Sequence, residues 1–118
     1  MRRYGWLGLA VGLLLLPSCG GAAPHDEAPL EYEAESPVEL EHEQLEVQDQ
    51  LETALARPEP DCGAACTLGD RICELSERIC AIAERHPEDD ETGGRCRDAE
   101  GRCETARERV AGSCTCAD

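Results

Sequence analysis

Cys66-Thr67-Leu68-Gly69-Asp70-Arg71-Ile72-Cys73-Glu74-Leu75-Ser76-Glu77-Arg78-Ile79-Cys80 sets three cysteines seven residues apart. Seven residues of α-helix turn through about 700°, close to two full turns, so the three sulfurs share one face. Cys62 falls on the same side. Cys96 and Cys103 repeat the interval further on. Between the two rows lies His86-Pro87-Glu88-Asp89-Asp90-Glu91-Thr92-Gly93-Gly94, where a proline, a run of carboxylates and two glycines oppose helix. The pattern predicts a helix over 62–86, or a shorter one starting near Thr67, then a turn and a second helix over about 94–111 ended by Gly112. Helix, turn and helix of similar length make an antiparallel hairpin.

The hairpin implies a pairing. Partners at one level of two antiparallel helices have a constant index sum, and Cys80 with Cys96 shares its sum with Cys73 and Cys103. These are the two bridges expected. Cys62, Cys66, Cys114 and Cys116 remain to pair among themselves. Cys62–Cys114 with Cys66–Cys116, and the nested arrangement Cys62–Cys116 with Cys66–Cys114, both stay open. Cys96, Ala99, Cys103, Ala106 and Val110 form a stripe of small side chains on the second helix, which suits the close approach that interhelical bridges require.

The first helix carries a second stripe: Leu68, Ile72, Leu75, Ile79 and Ile82. Helical-wheel counting sets it more than 100° from the cysteine row. The second helix has no large apolar side chain to cover it. Either the helix upstream or another molecule must, which makes the stripe a candidate interaction surface. The upstream helix starts at Ser36-Pro37-Val38-Glu39, a capping box with proline in its preferred first position. It is expected over 37–57, with Leu40, Val47, Leu51, Ala54 and Leu55 on one face, Gln44 and Gln48 between them, and Pro58 and Pro60 as the stop.

Composition divides the chain in two. Residues 25–61 carry 13 acidic groups and one arginine; residues 62–118 carry 13 acidic groups, eight arginines and eight of the nine cysteines. No lysine and no phenylalanine occurs. A module of this size without aromatic side chains buries little area and depends on cross-links. The net charge of −15 argues against nucleic acid as a partner.

The ninth cysteine lies elsewhere. Arg2 and Arg3 precede Tyr4-Gly5-Trp6-Leu7-Gly8-Leu9-Ala10-Val11-Gly12-Leu13-Leu14-Leu15-Leu16, an uncharged run. As a helix it would span roughly 20 Å, short of a ~30 Å hydrocarbon core, so it reads as the core of a signal peptide. Leu16-Pro17-Ser18-Cys19 at its end resembles the lipobox of bacterial lipoproteins, with proline in place of the more usual small residue before Ser18. The resemblance covers residues 1–20. It implies removal of 1–18, diacylglycerol on the Cys19 sulfur and a further acyl chain on the new amine. Three chains anchor durably where one does not. Gly20 rather than aspartate follows Cys19, which in enteric-type sorting implies the outer membrane, on its periplasmic or surface face.

Two weaker resemblances concern the module. The paired rows are similar in geometry to the hairpins of twin-cysteine coiled-helix proteins, although those space their cysteines differently. Residues 62–116, with Ile72-Cys73, Ile79-Cys80 and the His86-Pro87 stop, are similar to small cysteine-rich bacterial lipoproteins without an assigned function.

The reading is an all-α protein. It comprises a signal peptide (1–18), a lipidated N-terminus and disordered spacer (19–35), an acidic helix and linker (36–60) and a disulfide-stapled helical hairpin (61–118). It implies a membrane-anchored structural or interaction protein of the cell envelope, meeting the membrane through its lipid and meeting an envelope protein or a second copy of itself through the module. No catalytic residue, cofactor or small-molecule substrate is identified. Cys-x-x-Cys, the usual redox motif, does not occur. The alternative is a periplasmic or surface metal-binding module; only Cys62-x3-Cys66 and Cys114-x-Cys116 approach the short spacing of zinc knuckles, and no metal ligand is assigned.

Overall fold

The computed structural model describes residues 35–117. The signal segment, Cys19 and the spacer up to residue 34 lie outside them. Among the described residues the chain forms three helices and no strand: α1 (Pro37–Leu55), α2 (Cys62–Arg85) and α3 (Asp90–Ser113). α2 and α3 are the expected antiparallel hairpin, and α1, the acidic helix, lies across both.

Each helix starts at an oxygen that satisfies its orphan backbone donors. Ser36 Oγ accepts from the Glu39 amide, with Pro37 in the first turn. Asp61 caps α2 through the Ala64 amide at 3.1 Å. Asp89 caps α3, accepting from the amides of Glu91 at 3.1 Å and Thr92 at 3.2 Å.

This last cap corrects the sequence reading. The break between the hairpin helices is confined to His86–Asp89, and α3 begins at Asp90, four residues before the expected start. Gly93 and Gly94 are helical. A glycine in a helix interior costs about 1 kcal/mol relative to alanine. Here three bonds to Asp89, with Asp90 and Glu91 favourably placed in the first turn, hold the segment helical. Gly112 does not end α3 either; the helix runs to Ser113, and Cys114 is its extended C-cap. α2 takes the longer of its two expected forms, from Cys62, and stops at Arg85 with His86 as C-cap. α1 ends at Leu55, two residues short of expectation.

One core serves all three helices. Leu51, Ile72, Leu75 and Ile79 are its largest fully buried apolar side chains. Each contributes about 1.5–3 kcal/mol on burial. α3 supplies Ala99, Ala106 and Val110. Gly69 marks the close approach of α2 and α3: a Cβ there would lie 3.2 Å from a Val110 methyl.

Candidate functional site

α2 presents two faces, and each carries part of what the sequence singled out. On one, four disulfides join it to α3 and its C-terminal extension. Cys80 is bonded to Cys96 and Cys73 to Cys103, with Cα separations of 4.7 and 4.6 Å. The outer bridges are Cys62–Cys114 and Cys66–Cys116, at 5.4 and 5.7 Å. Of the two outer arrangements, the nested one is therefore not formed. Cys114 is still within reach of the helical register. Cys116, in the non-helical extension, folds back over Cys66.

Cys73, Cys103 and Cys80 of the two inner rungs floor an open groove of about 560 Å³ lined by Ser76, Glu77, Glu84, Glu100, Glu104 and Arg107. The helical repeat builds it. A residue four beyond a cysteine sits one turn above it on the same face. Cys73, Cys80 and Cys96 are thus each followed by a glutamate (77, 84 and 100), and Cys103 by Arg107. Glu100 Oε1 lies 3.6 Å from Cys80 Sγ. This row of carboxylates was readable from the spacing, but the sequence reading did not use it.

On the other face lies the apolar stripe. Ile72, Leu75, Ile79 and Ile82 are buried and Leu68 is half-buried, all packed with Leu40, Val47, Leu51 and Ala54 of α1. Of the two expected covers, the chain's own upstream helix is the one seen. The stripe is interior, not a free interaction surface. The small-residue stripe of α3 is interior too: Ala99, Cys103, Ala106 and Val110 are buried, and Cys96 is half-buried.

Polar groups hold α1 in place. Gln44 is fully buried. Its amide nitrogen donates to the carbonyls of Ile72 (3.0 Å) and Ala99 (3.1 Å), and its oxygen accepts from Arg102 (3.1 Å). One side chain thus bonds to both hairpin helices, with both donors and its acceptor used. Among the described residues no buried side-chain nitrogen or oxygen lacks a partner.

Around this contact, arginines of the hairpin meet glutamates of the acidic segment. Arg71 bonds Glu43 at 2.5 Å, Arg95 bonds Glu41 at 2.5 Å, Arg109 bonds Glu52 at 2.6 Å and Arg78 bonds Glu35. The bond to Glu43, with a second to Glu74, pushes the Arg71 guanidinium above its ordinary value. Glu91 and then Glu41 do the same for Arg95. Uneven composition along the chain becomes charge complementarity in the fold. Gln44 and these pairs were missed in the sequence; the one available signal was that Gln44 falls on the seam of Leu40, Val47, Leu51 and Ala54.

Among the described residues the two histidines take no part in either face. His42 is exposed, 3.7 Å from Glu46, and His86 caps α2 beside Glu88. With the bridges closed, none of the eight sulfurs is a thiolate, so a metal could be held by cysteine only after a rung opens. No helix among the described residues is long and apolar enough to cross a membrane. No protein-family model, curated protein or solved structure matches this chain.

Proposed function

We propose that the chain is a lipid-anchored protein of a bacterial cell envelope. It is held at Cys19 and displays a strapped, disulfide-stapled helical module as a structural or interaction element rather than as an enzyme. The observation that carries this reading is the bookkeeping of sulfur. Eight cysteines pair among themselves within residues 62–116, which accounts for every cysteine except Cys19. That one sits at the end of an apolar run, within the lipobox-like Leu16-Pro17-Ser18-Cys19.

Two further features support it. Four bridges in a small module fit an exported protein and do not fit a reducing cytosol. The chain's negative charge keeps the module off an anionic bilayer, so attachment would rest on acyl chains rather than on surface adsorption. Gly20 favours the outer membrane as destination under enteric-type sorting.

The test is the intact mass of the protein purified from a bacterial membrane fraction. The expected species begins at Cys19, carries the mass of its acyl chains and lacks eight hydrogens relative to the fully reduced chain. Cys19→Ser should leave the uncleaved precursor. A mature species that starts beyond residue 19, or one that starts at Cys19 without lipid, would overturn the anchor and with it the envelope assignment.

A further inference from the structure

We propose that the Cys80–Cys96 rung is a redox-gated site for a divalent cation of the zinc class. Once the bridge is reduced, its two sulfurs bind the ion together with the Glu100 carboxylate. The ligand atoms of these three residues already lie within 4.8 Å of one another. The arrangement follows from the helices: Glu100 stands one turn beyond Cys96 on α3, and Glu84 one turn beyond Cys80 on α2, on the groove side. Two thiolates and a carboxylate leave a fourth position for water or Glu84, a donor set that suits tetrahedral zinc.

Among the described residues no other rung has a third ligand atom within that distance. Cys73 and Cys103 are buried, and the residue one turn beyond Cys103 is Arg107, whose positive charge opposes a cation. Cys80 lines the groove and both it and Cys96 are half-buried, with Glu77, Glu84 and Glu104 adding negative potential. Their bridge also closes the shortest loop, with a sequence separation of 16. Opening it releases only the turn, while three bridges and α1 still hold the helices.

The chemistry balances in two steps. A dithiol reductant gives two electrons and two protons to the Cys80–Cys96 bond and becomes a disulfide itself. The ion then displaces the two thiol protons to solvent as it binds the sulfurs. With metal–sulfur bonds of about 2.3 Å the sulfurs come to rest about 3.8 Å apart. Side-chain rotation supplies most of that separation, since the Cα atoms are 4.7 Å apart. The ion therefore replaces the covalent rung with a coordinate one at the same level of the ladder.

The experiment uses the mature chain, treated with a neutral dithiol that is then removed under nitrogen, and titrated with cobalt(II) as the spectroscopic probe and with zinc. Alkylation and mass mapping report which rung is open; circular dichroism reports helicity. Expected is one ion per chain, with a cobalt–thiolate charge-transfer band, appearing as Cys80 and Cys96 open while helicity is kept. Glu100→Gln should weaken binding at least tenfold. Glu108→Gln, an exposed change elsewhere on α3, should not. The double variant Cys80→Ser/Cys96→Ser, which keeps the other six cysteines of the helical module, should bind none. Equal uptake by that variant would assign the ions to other cysteines and overturn the proposal. No uptake with the rung open, or loss of helicity when that rung alone opens, would overturn it too.

Discussion

The two flanks of α2 are joined to their neighbours by different physics. Toward α3 the contact is made of small side chains and four covalent bridges. Toward α1 there is no covalent bond. Large aliphatic side chains, one buried glutamine and a set of arginine–glutamate pairs hold the helix down. The contrast shows cross-links standing in for volume. Where sulfur fixes the distance, alanine suffices; where nothing fixes it, the chain spends leucine and isoleucine. Each flank should then fail under its own insult.

Reduction is the harsher one. Each bridge closing a loop of this size contributes about 2–4 kcal/mol in the chain-entropy account. The Cys80–Cys96 bridge lies within Cys73–Cys103, and the two outer bridges interleave around both, with separations of 16, 30, 50 and 52, so each closes only a small extra loop once the others exist. The sum is accordingly less than four independent bridges would give, yet it exceeds what a hairpin seam of alanines can replace. The expected outcome of complete reduction in the absence of metal is loss of cooperative thermal unfolding by circular dichroism. A fully reduced chain that keeps the oxidised melting temperature would show that the α1 flank alone holds the fold.

Truncation on the other flank should cost less and act differently. Leu51 is about 1 % exposed at the centre of the α1 contact. Leu51→Ala should destabilise by about 2–5 kcal/mol through lost burial and a residual cavity. In the oxidised protein the effect should be partial. α1 loosens, and protease cuts between Leu55 and Cys62, while the stapled hairpin keeps its helicity. If instead the whole molecule melts as one unit, the two flanks are a single cooperative body and the contrast is only structural.

Gln44 sharpens the same contrast at smaller scale. Gln44→Ala removes two donors from the carbonyls of Ile72 and Ala99 and leaves Arg102 without its acceptor there, at an expected cost of about 1–3 kcal/mol. Both carbonyls belong to helical residues, so their loss is one of a second acceptor contact rather than of the helix ladder. Gln44→Leu should cost less in denaturant titrations, since it restores volume. It should also widen the amide exchange of α1, because an apolar contact does not fix register as two directed bonds do. Equal exchange in Gln44→Leu and the parent would show that the aliphatic seam alone sets register.

What the sequence revealed follows the same division. The ladder was legible because a seven-residue interval has one geometric consequence on a helix, and an antiparallel turn then makes partners computable. Only Cys116 escapes the rule, since it lies beyond the helix whose register the rule assumes. The apolar stripe was legible as a face in need of cover, and the upstream helix was one of its two candidate covers; the choice stayed open because docking α1 depends on long-range pairs such as Arg95–Glu41 and Arg109–Glu52 that no local pattern announces. Gln44 was hidden by its type, since glutamine on a helix is usually a solvated residue. The start of α3 was misjudged because two glycines weigh on a propensity count while a cap is a single oxygen. Asp89, three residues ahead of Thr92, was the available sign.

That oxygen yields the smallest and most local test. The Asp89 carboxylate is held below the ordinary range, chiefly by the Thr92 hydroxyl at 2.7 Å, then by the Thr92 and Glu91 amides. The sign follows from the depressed value. Between the unfolded aspartate value of ~3.9 and the lower native one, the unfolded chain binds more protons than the native chain. The cap's electrostatic contribution is therefore full above about pH 4 and is lost as pH falls through the native value. Amide exchange at Glu91 and Thr92 reads this directly, since those two N–H groups bond the carboxylate. Their protection should fall on acidification in the parent. In Asp89→Asn, whose side-chain oxygen still accepts but does not titrate, protection should be slightly lower at neutral pH and flat across the same range. Since the rungs do not titrate, Cys80–Cys96 should hold the turn closed throughout, and fraying should stop within the first turn of α3. Fraying that spreads past Cys96 would mean the cap, and not the nearest bridge, sets where the second arm of the hairpin begins.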